Sequence, residues 1–286
     1  MDSARPVILA ARAKINLSLD VRRRRPDGYH ELDTVFQSLA LHDTVILRRA
    51  ASGVEISCDQ LGLPLGPRNL AYRAAEAVQR AYGVDYGVRI DLKKRIPVAA
   101  GLGGGSADAA AVLRALPALW GLPALPPDRL HALARKLGAD VPFCLLGGAA
   151  RGRGIGDLLE PLPGLAGCEV LLVKPAACLS TAEVYARLDP TRIVHPEMDA
   201  IVEAVRRRDL AALGRLAGNV LEGPAQAMLP EIEEIKTALR AAGAPVVLMT
   251  GSGPTVFALA AEAGWAARLA RSLARPGWSA IATTAI

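Results

Sequence analysis

The clearest pattern of hydrophobic and polar positions lies near the start of the chain. From residue 14 to residue 21, the polar residues Lys14, Asn16, Ser18 and Asp20 alternate with four aliphatic residues. A period of two residues is typical of a strand with one apolar and one polar face. We therefore predict a first strand that is half buried, with its apolar face against the core and its polar face exposed.

Similar patterns predict further elements along the chain. Strand-like segments lie at 44–47, 53–58, 88–92, 170–173, 246–250 and 255–260, and a last strand ends the chain. Helix-like segments lie at 70–82, 106–119, 128–137, 181–188, 198–207, 210–217, 231–242 and 262–273. Because strands and helices are mixed without a regular βαβ alternation, the sequence predicts an α+β fold.

Composition and charge narrow the class of protein. Of the 286 residues, 51% are hydrophobic and 22% are charged, which is typical of a globular chain. The formal net charge of +6 indicates an anionic partner. Nucleic-acid binding would need repeated basic runs with interleaved aromatic residues, but aromatic residues make up only 4%. We therefore expect small anions rather than nucleic acid, and interpret Arg22–Arg25 as a solvated turn or as a rim that attracts such an anion.

Other sequence features exclude several kinds of site. The four cysteines form no CxxC pair and the four histidines show no ligand spacing, so we expect no metal site built by the protein. The start of the chain is charged, at Asp2 and Arg5 among others, and lacks the apolar stretch of a secretory signal. The charge-free run 241–261 contains Gly and Pro residues that would break a membrane helix, and reads as strand, turn and strand. We expect a cytoplasmic protein with no membrane partner.

The segment Pro97–Ala110 carries the most chemical information. Gly101, Gly103, Gly104 and Gly105 lie in it, and the small residues that follow can start a helix. A helix N-terminus offers free N–H groups and a favourable dipole to phosphate. The alternative is a flexible turn before a tightly packed helix. The chain contains no Gly-Lys dipeptide and the spacing is not GxGxxG, which excludes a Walker A loop and a dinucleotide fingerprint.

Four segments of the chain resemble the GHMP kinases, the family of galactose, homoserine, mevalonate and phosphomevalonate kinases. Pro97–Ala110 resembles the phosphate-binding motif of the family. The other three are Ala13–Leu17 together with Asp27–Leu32, then Leu137–Pro142, and the Gly-rich Thr250–Phe257. They occur in the family's order and span most of the chain. The Asp27–Leu32 segment is similar to one branch of the family, whose substrate carries cytidine diphosphate.

The resemblance implies a fold and an activity. The fold would be the two-domain GHMP kinase fold, with a ribosomal-protein-S5-like N-terminal domain over 1–155, a ferredoxin-like C-terminal domain over 156–286, and the active site in the cleft. The activity would be ATP-dependent phosphorylation of a hydroxyl on a cytidine diphosphate ester, in isoprenoid precursor synthesis. ATP would act with Mg²⁺ as co-substrate, without a tightly bound cofactor. Two alternatives stay open: a GHMP kinase of the homoserine or mevalonate type, and a basic S5-like RNA-binding module.

The resemblance also implies two catalytic residues, Lys14 and Asp140. A cation near the γ-phosphate stabilises the transferring phosphoryl group. A carboxylate can accept the proton of the attacking hydroxyl or orient that hydroxyl. From their positions alone, Lys14 would be an ordinary exposed lysine and Asp140 a helix-cap or turn residue.

The implied ligand contacts form two sets. The ATP contacts are Pro97, Val98, Ala99, Ala100, Gly101, Leu102, Gly103, Gly104, Gly105, Ser106, Ala107, Asn69 and Lys94. Asn69 equally fits a helix N-cap, Lys94 equally fits a solvated position, and Asp108 suits either a magnesium ion or the helix dipole.

The implied substrate contacts are Asn16, Tyr29, His30, Thr181, Tyr185, Gly251 and Ser252. Aromatic rings, imidazoles and amides suit a pyrimidine base, which they can stack on or pair with. Simpler interpretations remain for several of these residues. Tyr29 and His30 also fit an ordinary surface turn, Ser180–Glu183 fits a capping box, and Gly251–Gly253 fits a simple β-turn.

Overall fold

The computed structural model of the chain describes residues 5–286. The first four residues of the predicted N-terminal domain, with the charged Asp2, lie outside the described residues. The strands are β1 (Val7–Arg24), β2 (His30–Ala50), β3 (Val54–Cys58), β4 (Gly87–Lys93), β5 (Ala149–Gly154), β6 (Leu158–Leu162), β7 (Glu169–Pro175), β8 (Val246–Met249), β9 (Val256–Ala260) and β10 (Trp278–Thr284). The helices are α1 (Leu70–Tyr82), α2 (Gly104–Leu119), α3 (Pro127–Leu137), α4 (Val141–Leu146), α5 (Thr181–Ala186), α6 (Met198–Arg206), α7 (Leu210–Leu216), α8 (Glu222–Met228), α9 (Glu231–Ala241) and α10 (Trp265–Ser272). This mixture of helices and strands confirms the predicted α+β class.

The chain divides into two compact units that are not contiguous in sequence. Unit 1 holds the residues up to Ala13, then Leu41–Pro97 and Gly103–Gly147. Unit 2 holds Lys14–Ala40, Val98–Leu102 and Gly148–Ile286. The long strands β1 and β2 each contribute one part to each unit.

Unit 1 packs two helices of small residues beside a short sheet. The second half of β2 pairs antiparallel with β4, and β4 pairs parallel with β3. Small buried residues such as Ala74 and Ala75 of α1 and Ala109 and Val112 of α2 join the aliphatic residues of these strands in one core. The predicted helix 70–82 is confirmed, and it ends at Gly83, whose φ of 66° favours glycine.

Unit 2 contains a four-stranded antiparallel sheet in the order β10-β7-β9-β8. Leu171 and Val173 of β7 share a core with Ile232 and Ile235 of α9 and with Ala266 of α10. In the same unit, the first half of β2 pairs antiparallel with β5, which pairs with β6. The predicted strands 246–250 and 255–260 are observed as β8 and β9, which are antiparallel neighbours.

The structure corrects the prediction for the first strand. Its polar face is not exposed, because Lys14, Asn16, Ser18 and Asp20 are all buried. The period of two residues predicted which side chains share a face, but it carried no information on what covers that face.

Several elements were not predicted. Strand β2 begins at His30, whereas the sequence predicted a strand only at 44–47. Residues 33–39 are buried on both faces of the strand, so they do not alternate between apolar and polar side chains. Helices α4 and α8 and strands β5 and β6 were also missed. In β5, a side chain at Gly152 would place its Cβ 2.6 Å from the ring of Phe36, so the strand needs glycine there.

A membrane span was not predicted for the charge-free run 241–261. In the structure, this run holds the end of α9, the strands β8 and β9 and the turn between them. Across residues 5–286, no helix combines the length and the apolar character that crossing a membrane requires.

Candidate active site

Lys14 lies in unit 2 at the start of a buried polar row on β1. Its side chain is only 4% exposed, and its Nζ donates a hydrogen bond to Asn16 Oδ1 at 2.8 Å. The ammonium also lies 5.6 Å from the centre of the Phe36 ring, within the range of a cation–π contact. Lys14 Nζ is therefore held between an amide oxygen and an aromatic ring.

Asn16 is held on both ends of its side chain. Its Nδ2 donates to Thr34 Oγ1 at 2.8 Å, and its Oδ1 accepts from Lys14. Its backbone N–H donates to Thr250 Oγ1 at 3.0 Å. The structure therefore joins two predicted site residues, Lys14 and Asn16, through one amide group.

Two predicted glycine segments of unit 2 approach each other closely. Gly101 has a φ of 74°, and a Cβ at this position would lie 2.5 Å from the carbonyl oxygen of Thr250. Gly251 has a φ of 58°, and its Cβ would lie 3.3 Å from the carbonyl oxygen of Gly101. The left-handed φ values and the close backbone contact both require glycine at these positions. The segment Val98–Leu102 and the turn that begins at Thr250 therefore form one packed backbone arrangement.

The N-terminus of α2 lies in unit 1 and has the features of an anion site. Its N-cap is Gly103, with a left-handed φ of 71°, no side-chain capping bond and no acidic residue in the first turn. A Cβ at Gly104 would lie 3.1 Å from the Ile96 side chain, so little room is left for a side chain here. The first N–H groups of the helix thus carry no side-chain cap, and with the helix dipole they favour a phosphate.

Asp140 lies at the start of α4, also in unit 1. Its backbone oxygen accepts from Cys144 N at 3.0 Å, but its carboxylate makes no capping bond to the helix. Asp140 is nevertheless the N-cap residue of α4 and lies in a turn, in agreement with the helix-cap or turn interpretation. The residue is half buried.

The residues predicted to contact a pyrimidine lie on two elements of unit 2. The rings of His30 and Tyr185 stand 4.7 Å apart, centre to centre, with 32° between their planes. Burial lowers the pKa of His30 below its ordinary value, and the charge of Arg24 lowers it further, so the ring is neutral at pH 7. Tyr29 is 57% exposed on the turn before β2.

The pair Thr181 and Ser252 is also brought together in unit 2. Their hydroxyl oxygens lie 2.8 Å apart, which joins the start of α5 to the Gly-rich turn. The neighbouring Ser180 caps α5 by accepting from Glu183 N at 3.4 Å, in agreement with the capping-box interpretation.

Comparison with known proteins identifies the family. The family model described as GHMP kinases N terminal domain matches residues 69–148, and the model described as GHMP kinases C terminal matches 201–277. A relative from Pelotomaculum thermopropionicum, named 4-diphosphocytidyl-2-C-methyl-D-erythritol kinase, is 50% identical over 256 residues, which are 88% of each chain. A relative of the same name from Acetivibrio thermocellus is 40% identical over 98% of this chain and 99% of its own. The chain belongs to the GHMP kinases.

Solved structures agree with this family assignment. A crystal structure of 4-(cytidine 5'-diphospho)-2C-methyl-D-erythritol kinase matches 98% of this GHMP kinase and 99% of its own chain, with a TM-score of 0.83 and 43% identity. Homoserine kinase from Cytophaga hutchinsonii reaches a TM-score of 0.79 at 21% identity, which shows the fold alone. The predictions of a GHMP kinase fold and of a small-molecule kinase are confirmed.

The structure gives Lys94 of this GHMP kinase a different place from the predicted ATP contact. Its ammonium is buried in unit 1 and donates to Asp108 Oδ2 at 2.6 Å and to Asp43 Oδ2. Burial by itself lowers the pKa of Lys94, but the two carboxylates more than offset this and raise it above its ordinary value. These ion pairs favour a structural role for Lys94, and its contact with ATP stays a prediction.

Asp108 belongs to the same ion cluster of the kinase. Burial, the largest influence, raises the pKa of Asp108 to about 6 against the lowering effect of Lys94. Among residues 5–286, no group of three or more His, Cys, Asp and Glu side chains is arranged to hold a metal ion.

Asn69 acts as a helix cap in the GHMP kinase structure. Its Oδ1 accepts from Ala71 N at 2.9 Å and its Nδ2 donates to Pro64 O at 3.0 Å. Both ends of its amide are thus occupied, which favours the N-cap interpretation over the ATP contact.

The basic run of the kinase is partly neutralised. Arg22 pairs with Asp20 at 2.9 Å, and Arg25 pairs with Asp27 and Glu31 at 3.0 and 2.8 Å. Two of the four positive charges that were expected to attract an anion are therefore balanced within unit 2.

Sequence reasoning missed Asn219, which holds the Gly-rich turn of this GHMP kinase. Its Nδ2 donates to the carbonyl oxygens of Met249 and Gly251, both at 2.8 Å, and its Oδ1 accepts from Leu221 N at 3.0 Å. The side chain is buried. One signal was available, since the chain contains only three asparagines and the other two are predicted site residues.

Proposed function

We propose that this kinase transfers the γ-phosphoryl group of ATP to the 2-hydroxyl of 4-diphosphocytidyl-2-C-methyl-D-erythritol, in the non-mevalonate isoprenoid pathway. The observation that carries the proposal is the similarity to kinases with that substrate in their names. One of them, from Acetivibrio thermocellus, is 40% identical over 98% of this chain. The homoserine and mevalonate kinases among the structural neighbours are at most 21% identical, so they support a shared fold only.

ATP is proposed to bind with its phosphates at the N-terminus of α2. The support is the absence of a side-chain cap or an acidic first turn at Gly103–Ser106, together with the positive end of a helix of 16 residues. Mg²⁺ would accompany ATP on its phosphate oxygens and neutralise part of their charge.

Lys14 and Asp140 are proposed to act on the phosphoryl transfer itself. The ammonium of Lys14 would stabilise negative charge that develops on the transferring group, and its burial strengthens that interaction. The carboxylate of Asp140 would accept the proton of the attacking 2-hydroxyl as the new O–P bond forms. Bond breaking at the β–γ bridge then releases ADP.

The cytidine end of the substrate is proposed to bind near Tyr29, His30 and Tyr185. The neutral imidazole of His30 can donate from one ring nitrogen and accept at the other, as a cytosine edge requires. The Tyr185 ring, 4.7 Å from the His30 ring, offers an apolar face for stacking. Thr181, Gly251 and Ser252 would contact the diphosphate or the methylerythritol group.

Two further predictions stay proposals. We propose a boundary between the family's two domains at residues 155/156, which lies between the two segments matched by the family models. We also propose a cytoplasmic location, where ATP is available.

A substrate panel tests the function. The full chain is incubated with ATP and Mg²⁺ and with each of three acceptors: the diphosphocytidyl substrate, homoserine and mevalonate. We expect ADP release with the first acceptor alone. Faster release with homoserine or mevalonate would reassign the substrate.

An Asp140→Asn variant tests the proposed base. Its kcat should fall by about 10²-fold or more, the usual contribution of a positioned base, while calorimetric binding of the diphosphocytidyl substrate survives. Asp128→Asn, the same change at an exposed first-turn residue of α3, should keep its kcat. Full turnover by Asp140→Asn would refute the role.

A further inference from the structure

We propose that Thr34 is a positioning residue for the phosphoryl transfer, because its hydroxyl accepts from the Asn16 NH₂ group and so holds the amide oxygen in place for the Lys14 ammonium. The inference deepens the proposed function and rests on it, since it takes Lys14 as the cation that acts on the transferring group. Thr34 belongs to none of the motifs that carried the resemblance.

The direction of each hydrogen bond around Thr34 follows from chemistry. Thr34 Oγ1 lies 2.7 Å from the backbone oxygen of Ser18 and 2.8 Å from Asn16 Nδ2. A carbonyl oxygen can only accept, and a hydroxyl carries a single hydrogen, so Thr34 must donate to Ser18. The same hydroxyl can then only accept from Asn16, and the atom of Asn16 that faces it must be the NH₂ group.

The far end of the amide gives the same answer independently. Asn16 Oδ1 lies 2.8 Å from Lys14 Nζ, and an ammonium has donors only. An oxygen is required on that side. The two ends of an amide are hard to distinguish from their shape, but here the Ser18 carbonyl at one end and the Lys14 ammonium at the other require one orientation.

Burial makes this orientation consequential. Thr34 is fully buried and Asn16 is 2% exposed, so water does not readily replace a lost partner. Without the Thr34 hydroxyl, the NH₂ group of Asn16 loses its buried acceptor, and the amide is held less firmly. The oxygen that accepts from Lys14 would then be less fixed, and Lys14 Nζ would move from its position over the Phe36 ring.

The first test separates positioning from packing by kinetics. Thr34→Val keeps the shape and removes the hydroxyl; we expect kcat to fall about tenfold, equivalent to about 1.4 kcal/mol, with both KM values within about twofold of wild type. Thr34→Ser restores the hydroxyl and should restore most of kcat. An unchanged kcat in Thr34→Val, or an equal loss in Thr34→Ser, would overturn the proposal.

The chain offers a matched control for the loss of a buried hydroxyl. Thr255 is fully buried in the same unit, and in the described part of the chain its Oγ1 has no hydrogen-bond partner. Thr255→Val should therefore lower neither stability nor kcat. If it lowered kcat as much as Thr34→Val does, the effect would be one of general packing, and the proposal would fail.

A double-mutant cycle tests the relay itself. Asp at position 16 has an oxygen at both ends of its carboxylate, so it has no NH₂ group that needs Thr34 as its acceptor. Thr34→Val should therefore lower kcat much less in an Asn16→Asp background than in wild type. An equal loss in both backgrounds would show that Thr34 acts independently of the amide.

A last readout does not depend on turnover. In ¹⁵N-labelled full-length protein, the side-chain NH₂ signal of Asn16 is assigned by its loss in Asn16→Asp. The hydrogens of this group should exchange slowly with solvent in wild type and at least tenfold faster in Thr34→Val. Slow exchange in Thr34→Val would refute the positioning. If the exchange result holds but wild type fails to phosphorylate the diphosphocytidyl substrate, the proposed function fails while the hydrogen-bond relay stands.

Discussion

Replacing Asn219 by Asp tests whether one buried amide holds the Gly-rich turn. The substitution changes a single NH₂ group into an oxygen. Asn219 Nδ2 donates to the carbonyl oxygens of Met249 and Gly251, both at 2.8 Å, and a carboxylate can donate to neither. The bond from Leu221 N to Oδ1 can remain.

The size of the effect follows from those two contacts. Each buried carbonyl that loses its donor costs about 1–3 kcal/mol, and the new buried charge near two carbonyl oxygens adds to this. We expect a loss of at least about 3 kcal/mol in the free energy of unfolding. For a chain of this length, that corresponds to a fall in Tm of about 6–12 °C.

Thermal unfolding followed by circular dichroism measures this loss, and Asn69→Asp is the control. Asn69 contributes an N-cap acceptor to Ala71 N, which Asp also provides, and loses only the bond to Pro64 O. Its Tm should fall by less than about 4 °C. Equal shifts for the two variants, or no shift for Asn219→Asp, would refute the reasoning.

Three further predictions concern single groups. Gly101→Ala should abolish most activity in an ADP-release assay, because its Cβ would lie 2.5 Å from a carbonyl oxygen. The control Gly66→Ala, whose Cβ would have nothing within 4 Å, should match the activity of wild type. Arg24→Gln should raise the pKa of His30 in an NMR titration, since a repelling charge is removed, and an unchanged titration would count against their proximity. In the folded protein, the pKa of Asp108 is raised to about 6, above its value in the unfolded chain. Ionisation of Asp108 therefore lowers the free energy of unfolding as the pH rises from 4 to 7. Over that range, urea unfolding should show wild type losing stability relative to Asp108→Asn, and a constant difference would contradict the raised pKa.

Much of the fold was predictable because its signals are local. The helix 70–82 has its N-cap and its C-terminal glycine beside it in sequence, and β8 and β9 flank a turn of glycines. The burial of the polar face of β1 was not predictable, because it depends on distant segments. Lys14 N donates to Leu102 O, and Ser18 Oγ to Gly218 O, across long separations in sequence.

The candidate site was predictable as a set of residues but not as a set of roles. Motif resemblance selected Lys14 and Asn16, yet their shared hydrogen bond and the part played by Thr34 emerge only when β1 and β2 lie side by side. The two carboxylate partners of Lys94 were not predictable, because they are 14 and 51 residues away in sequence. Asn219 was missed for the same reason, since the carbonyl groups that it holds lie on another element.

The identity of the phosphorylated product tests the central claim most directly. The full chain is incubated with ATP, Mg²⁺ and 4-diphosphocytidyl-2-C-methyl-D-erythritol, and the product is examined by ³¹P NMR and mass spectrometry. We predict one new phosphomonoester signal on the 2-hydroxyl, formed in equal amount with ADP. ADP without a phosphorylated acceptor, or a phosphate on another hydroxyl, would contradict it.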